Sequence, residues 1–206
     1  MPTATISVSG SIGGVAVQGT VNRTAEGQQS HEVTLAAGKT GTLSTRTSDT
    51  AGTLTMSGGH GITDGLVIDI YWTDANGDPQ VAYGATVGTV SVNSVPFTGA
   101  AGTALPVQTT AIVACVVTEI NADFDGDDVE AIIASANRNG HVKFIDSGAA
   151  VLKAQLLKAG EPWYWVNGQG IARPITGNPV DKIVVSNGDS TNTATLRVGV
   201  LYDTVT

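Results

Sequence analysis

The chain has 206 residues, 26 of them glycine, and carries 10 Lys and Arg against 18 Asp and Glu, a formal net charge of −8. That length supports one large domain or two small ones with a core that needs no disulfide or metal staple. The acidic balance excludes a protein that clamps nucleic acid, because affinity for phosphates comes mainly from Lys and Arg displacing counterions.

Short Val, Ile, Thr and Leu runs, cut at close intervals by glycine, predict an all-β protein with tight turns. The start, Met1-Pro2-Thr3-Ala4-Thr5, has neither a basic stretch nor a long apolar one, so synthesis in a cytoplasm without a secretory leader is expected. No apolar run approaches the ~20 residues that span a bilayer, and no membrane partner is expected.

From Thr5 to Leu35 the residues alternate with period two. Ile6, Val8 and Ile12 are followed by Val15, Val17 and Val21, with the turn dipeptide Gly13-Gly14 between the two sets, which predicts a hairpin or meander. From Gly38 to Leu105 the composition shifts to Gly, Thr and Ser, and the strand candidates shorten to Gly41–Thr45, Gly52–Met56, Leu66–Trp72 and Val81–Val92. Asp74-Ala75-Asn76-Gly77-Asp78-Pro79 carries an Asn-Gly hairpin signal, and Gly58-Gly59-His60-Gly61 permits unusual backbone angles. Five or so strands of this length suit a small barrel.

A boundary is expected at Thr98–Thr103, ahead of Pro106. Beyond it the strands lengthen: Gln108–Ile120 reads as one central strand, followed by Val129–Ser135, Gly140–Asp146, Ala150–Leu157, Trp163–Val166, Lys182–Ser186 and Thr193–Tyr202. Asp127–Asn137 has a rival helical reading, since Val129, Ile132, Ile133 and Ala136 match helical spacing. The expectation is therefore N-terminal strands over 1–37, a small β-barrel over 38–105 and a jelly-roll-like or related β-sandwich over 106–206. An alternative arrangement lets residues 1–37 complete the sandwich, with the barrel inserted.

Few residues suggest chemistry. Asp123, Asp125, Asp127 and Asp128 form the densest acid cluster, and calcium is the cation such oxygens would take. The spacing departs from the EF-hand pattern, so a solvated turn accounts for it and no cofactor is expected. Asp74, Asn76 and Asp78 are explained by the hairpin. His31, His60 and His141 have no metal-ligand spacing, no Gly-x-Ser-x-Gly elbow is present, and no catalytic residue is assigned. Cys115, inside Ala111–Val117, reads as a small buried hydrophobe. Trp72 reads as core or rim of the barrel.

Alternation sends Trp163 and Trp165 to one face of a strand and Tyr164 to the other. Core packing explains such a pair. Exposed, the two rings would stack on sugars or anchor a subunit interface.

The C-terminal runs Val180-Asp181-Lys182-Ile183-Val184-Val185-Ser186-Asn187-Gly188 and Ala194-Thr195-Leu196-Arg197-Val198-Gly199-Val200-Leu201-Tyr202-Asp203 complete a texture that resembles virion structural proteins of tailed bacteriophages. That resemblance covers composition over the whole length and contains no diagnostic motif. It implies a non-enzymatic building block of a virion, either a tail tube subunit or a capsid decoration (cement) protein, that forms a homo-oligomer, a trimer or a hexamer, and meets other virion proteins. Strand edges and extended ends such as Met1–Val8 and Leu201–Thr206 would supply the contacts. The alternative from another class is a carbohydrate-binding or adhesive β-sandwich module; a polysaccharide-cleaving enzyme ranks third.

Overall fold

The computed structural model describes residues 3–12, 15–24, 27–125, 129–167, 172–175 and 179–203, with side chains from Gly27 onward, Asp125 excepted. Every regular element among them is a strand, and every ladder is antiparallel. Two strands, β1 (Thr3–Ile12) and β2 (Val15–Thr24), pair along their full length, Thr3 with Thr24 through Ile12 with Val15. They form a two-stranded ribbon that joins no other sheet. The expected hairpin is there; its Gly13-Gly14 turn lies outside the described residues.

Strand β3 (Gly27–Leu35) belongs elsewhere, and its place decides the architecture. It lies at the edge of a four-stranded sheet with β17 (Ala194–Tyr202), β12 (Val129–Ala136) and β15 (Trp163–Val166), in the order β15-β12-β17-β3. Facing it is a second sheet of β11 (Thr118–Asp125), β16 (Pro179–Asn187), β13 (Gly140–Asp146) and β14 (Val151–Leu157). Counted in chain order within this unit, the two sheets read 6-3-8-1 and 2-7-4-5, the strand order of a jelly roll. Alternate residues of both sheets fill the gap between them. Ile132, Ala134, Val142, Phe144, Ile183, Val185, Leu196 and Val198 are among those at 2 % exposure or less, the pattern that a two-sheet core imposes.

Between the first and second strands of the jelly roll the chain builds a separate barrel. It comprises β4 (Lys39–Arg46), β5 (Gly52–Met56), β6 (Val67–Thr73), β7 (Pro79–Val87), β8 (Ser94–Thr98), the short β9 (Ala101–Gly102) and β10 (Ala111–Val116). The ladder runs β6-β10-β4-β5-β8-β7 and closes through β6–β7 pairing, with β9 added beside β7. Leu43, Leu54, Ile68, Ile70, Val95 and Phe97 fill the interior, and Trp72 packs among them as expected. Closure removes the sheet edges that Thr-rich strands this short would otherwise expose.

Of the two arrangements left open, the inserted barrel is the one found, because β3 pairs with β17 from Gly27–Tyr202 to Leu35–Ala194. Other expectations need correction. Gln108–Ile120 is not one strand. Residues Ala111–Val116 close the barrel against β4 and β6, and the sandwich begins again at Thr118, so the boundary falls at Val117 and not near Pro106. Apolar residues run without a break from Ala111 to Val117, so composition gives no sign that the barrel strand ends at Val116. Leu201 and Tyr202 are no arm, since both pair with β3 inside the jelly roll. The rival helix over Asp127–Asn137 gives way to β12.

Candidate functional site at the barrel junction

The barrel meets the jelly roll along β6 and β7 on one side and β13 and β16 on the other. Strand β6 reads Val-Ile-Asp-Ile-Tyr-Trp-Thr. Ile68, Ile70 and Trp72 enter the barrel core, which leaves Asp69 and Tyr71 on the outer side by the period-two rule. Likewise, Val142 and Phe144 of β13 enter the jelly-roll core, leaving His141 and Lys143 on the opposite side. Docking the two units brings these outer positions together. Tyr71, Val81 and Cys115 form a small apolar cluster there, with Tyr83, Val113 and Leu156 beside it.

Asp69 is the centre of the junction and is fully buried. Its Oδ1 accepts from Lys143 Nζ at 2.8 Å and from the Gly84 backbone N–H at 2.8 Å. Its Oδ2 accepts from Ser186 Oγ at 2.6 Å, and Ser186 Oγ lies 2.6 Å from the Tyr71 hydroxyl. With the Ser186 proton directed at the carboxylate, Tyr71 donates to Ser186. His141 Nδ1 sits 3.5 Å from Oδ2, at the far limit of a hydrogen bond and poorly aligned, so its contact with the carboxylate is long and weak. The His141 ring lies on Tyr83, centroids 4.7 Å apart, and Lys143 Nζ is 5.4 Å from the Tyr83 ring centre.

The Gly84 donor exists because of a β-bulge. The ladder passes from Ile68–Ala85 to Ile70–Ala82, so Tyr83 and Gly84 together oppose Asp69. Gly84 adopts φ +71°, a region that costs any residue with a Cβ, and its N–H, freed from the ladder, turns to the carboxylate.

Burial alone would raise the Asp69 carboxyl, but His141 and the Lys143 ammonium outweigh it and hold the group at about 2. Burial pushes the His141 imidazole down, Lys143 adds to the effect, and Asp69 opposes it. The site at neutral pH is therefore a carboxylate paired with an ammonium beside a neutral imidazole. Burial and the Asp69 charge together raise the Tyr71 phenol and the Cys115 thiol. Cys115 is buried as the sequence suggested, and its thiol donates to the Asn187 carbonyl.

Asp, His and Ser are also the residue types of a hydrolytic triad, but the connections differ. Ser186 donates to the carboxylate and not to an imidazole, so nothing here raises its nucleophilicity. Lys143 is 2 % exposed and Ser186 1 %. What the arrangement does chemically is lock two separately cored units together through one charge pair and its hydrogen bonds. Beside it opens a cleft of about 490 Å³, lined among others by Tyr83, Lys143, Glu119, Asp181 and Lys182. Lys182 and Glu119 at its rim already pair at 2.9 Å.

The residues singled out from sequence lie elsewhere. Trp165 is buried in the jelly-roll core at 4 % exposure, as the core-packing reading has it, so within the chain the stacking or interface role does not fall to it. Its inward position follows from the alternation of β15. Trp163 is half-buried against the same core, with Lys153 Nζ 5.9 Å from its ring, while Tyr164 points outward at 40 % exposure.

In the acid turn, Asp123 is exposed and its carbonyl accepts from Gln29. The side chain of Asp125, and Asp127 and Asp128 entirely, lie outside the described residues. Among the described residues no three His, Cys, Asp or Glu side chains are grouped to hold a metal. The Asp74 carboxylate is occupied by the backbone N–H groups of Asn76 and Asp78 and by Gln80, as the hairpin reading requires. His60 ties two barrel loops, accepting at Nδ1 from Ile62 N–H and bonding through Nε2 to the Val92 carbonyl.

Sequence reasoning passed over Asp69 and Lys143. A usable signal was present: each is a charged residue inside an apolar run, two positions from another polar residue, Tyr71 or His141. Comparison with protein-family models, with curated proteins and with solved structures finds no match to this chain.

Proposed function

We propose that the chain is a non-enzymatic structural subunit of a tailed-phage virion that assembles with copies of itself through strand and ribbon contacts. The observation that carries this reading is the β1–β2 ribbon, whose strands pair with each other and with no other sheet. A two-stranded ribbon alone is marginal in water and persists when a third surface covers it. The jelly roll adds open edges at β3, β15, β11 and β14, which are suited to strand addition by a neighbour. A net charge of −8 keeps such a shell from adhering to the DNA it encloses.

Of the two virion stations, capsid decoration is favoured over the tail tube, because a jelly roll carrying a locked second domain offers a compact body and a projecting module. Light scattering on purified protein, followed by electron microscopy of the particles, tests this. Threefold clusters support a decoration protein and sixfold stacked rings a tube subunit. A monodisperse monomer at high concentration would overturn the assembly reading in both forms.

A further inference from the structure

Resting on that assembly reading, we infer that the ribbon of one copy docks on the outer face of the β15-β12-β17-β3 sheet of a second copy. Three observations lead there.

The ribbon is two-sided by register. Its paired positions are Ala4 with Arg23, Ile6 with Val21, Val8 with Gly19, Gly10 with Val17 and Ile12 with Val15 on one set, and Thr3 with Thr24, Thr5 with Asn22, Ser7 with Thr20, Ser9 with Gln18 and Ser11 with Ala16 on the other. Period-two alternation therefore puts nearly all its aliphatic positions on one side. Ten residues per strand give it a length of roughly 33 Å.

The receiving face is open and partly apolar. Ala131, Ile133, Gly199 and Leu201, with Gln28 and Ser30 of β3 beside them, line a groove of about 280 Å³ on the side of the sheet away from the core. Ile133 is 43 % exposed, and its ladder partner Tyr164 is 40 % exposed. Strands β3 and β17 have nine residues each, about 30 Å, so ribbon and face match in length.

Charge points the same way. Between Thr3 and Thr24 the ribbon has no acidic residue and one basic residue, Arg23, in a chain of net charge −8. A contact made by this segment avoids the repulsion that acidic surfaces of two copies would meet, and on the receiving face Glu32 is already paired with Arg197. The ribbon and face are different surfaces, so the contact is head-to-tail and closes into a ring when the rotation between copies allows.

The test is a photo-crosslink read by isotope. Val17 is replaced by a benzophenone-bearing residue, unlabelled and ¹⁵N-labelled subunits are mixed before assembly, and cross-linked peptides are identified by mass spectrometry. The expected result is a mixed-isotope link from position 17 to peptides containing Ala131–Ile133 or Gly199–Leu201. Links confined to one isotope, or mixed links to the barrel or to another ribbon, overturn the docking inference while leaving self-assembly intact. Absence of any oligomer overturns the assembly reading itself. A second variant guards the result: Ile133→Glu, at an exposed position, should keep the melting temperature of the parent and weaken association at least tenfold. Unchanged association overturns the inference.

Discussion

Lys143 and Asp69 are 74 positions apart in the chain and 2.8 Å apart in space. Each comes from a unit with its own hydrophobic core, and the pair is closed off from water at 2 % and 0 % exposure. A buried charge pair of this kind is a weak source of net stability compared with well-packed apolar residues, yet removing one partner is costly because the other is left uncompensated. Its use here is to fix one orientation of the barrel on the jelly roll.

The first prediction follows. Lys143→Met should destabilise by about 3–5 kcal/mol, because the carboxylate of Asp69 remains buried without its cation. For a chain of this size that lowers the melting temperature by roughly 10 °C. Asp69→Asn should cost a similar amount by stranding the ammonium. The double variant removes both charges, and the amide can still accept from the Gly84 N–H through its oxygen while its NH2 donates to the Ser186 hydroxyl, so its loss should be smaller than the sum of the singles by more than about 1 kcal/mol. Calorimetry of the four proteins measures the coupling, and additive losses would show that the pair does not interact as the geometry implies.

The second concerns acid. His141 is held below its ordinary value of 6.5 in the folded chain, so at pH just under 6.5 the unfolded chain binds the proton and the folded one does not. Stability contributed by the neutral imidazole is thus lost as pH falls from that value. Asp69 is held at about 2 against an ordinary 3.8, and its contribution, roughly 2 kcal/mol, is full above pH 4 and is lost between those two values. The melting temperature should therefore decline in two stages on acidification. In His141→Gln the upper stage should disappear and the lower one remain, which a pH series of melting curves for both proteins will show.

Much of this architecture was legible in the sequence and the junction was not, for a physical reason. Asn76-Gly77 between two apolar runs specifies a turn through local backbone geometry, and the β6–β7 hairpin formed where expected. The alternation in Ala194–Leu201 reflects one core face, Ile183–Ser186 is a run buried on both sides, and those strands also formed. An aspartate between Ile68 and Ile70 has two local readings, a solvent-facing position or a buried one with a distant cation, and the cation that decides between them lies in another unit. The same holds for Val117, where the chain leaves the barrel for the jelly roll. The apolar run from Ala111 continues through it, and only the pairing of Val113 with Tyr71 and of Thr118 with Val185 distinguishes the two strands.

The third prediction tests the bulge. Gly84 holds φ +71° with open space where a Cβ would stand. An alanine there meets no neighbour but takes on the left-handed backbone penalty, about 1–2 kcal/mol. Gly84→Ala should therefore lower stability by that amount while leaving the N–H donor to Asp69 in place, so the acid response of the second prediction should keep its shape. A change in that response would mean that the bulge itself had moved.

The fourth concerns Cys115. Its thiol is buried, its proton is directed at the Asn187 carbonyl, and burial with the nearby Asp69 charge raises its titration well above the ordinary range. Since the thiolate is the reactive form, modification by an aromatic disulfide reagent at pH 8 should be negligible in the native protein and complete in denaturant. Protection should fall in Lys143→Met, because Cys115 belongs to the same junction cluster as Tyr71 and opens when the barrel loosens. Rapid labelling of the native chain would place the thiol at a solvent path that the packing excludes.

The last separates neighbours on β15. Trp165 lies inside the jelly-roll core, and Tyr164, next to it in sequence, stands on the outer face opposite Ile133. Truncating Trp165 to alanine removes a large buried ring and should cost about 3–5 kcal/mol. Truncating Tyr164 removes a ring that is 40 % exposed, and its effect on stability should stay within about 1 kcal/mol. If the outer face receives a second copy, the order reverses for assembly: Tyr164→Ala should weaken association clearly, because aromatic rings at the centre of an interface carry much of its energy, whereas Trp165→Ala should weaken it only in proportion to unfolded subunit. Melting curves and sedimentation of the two variants, measured together, resolve the two effects. Equal behaviour of Tyr164→Ala and the parent in sedimentation would remove this face from the assembly contact.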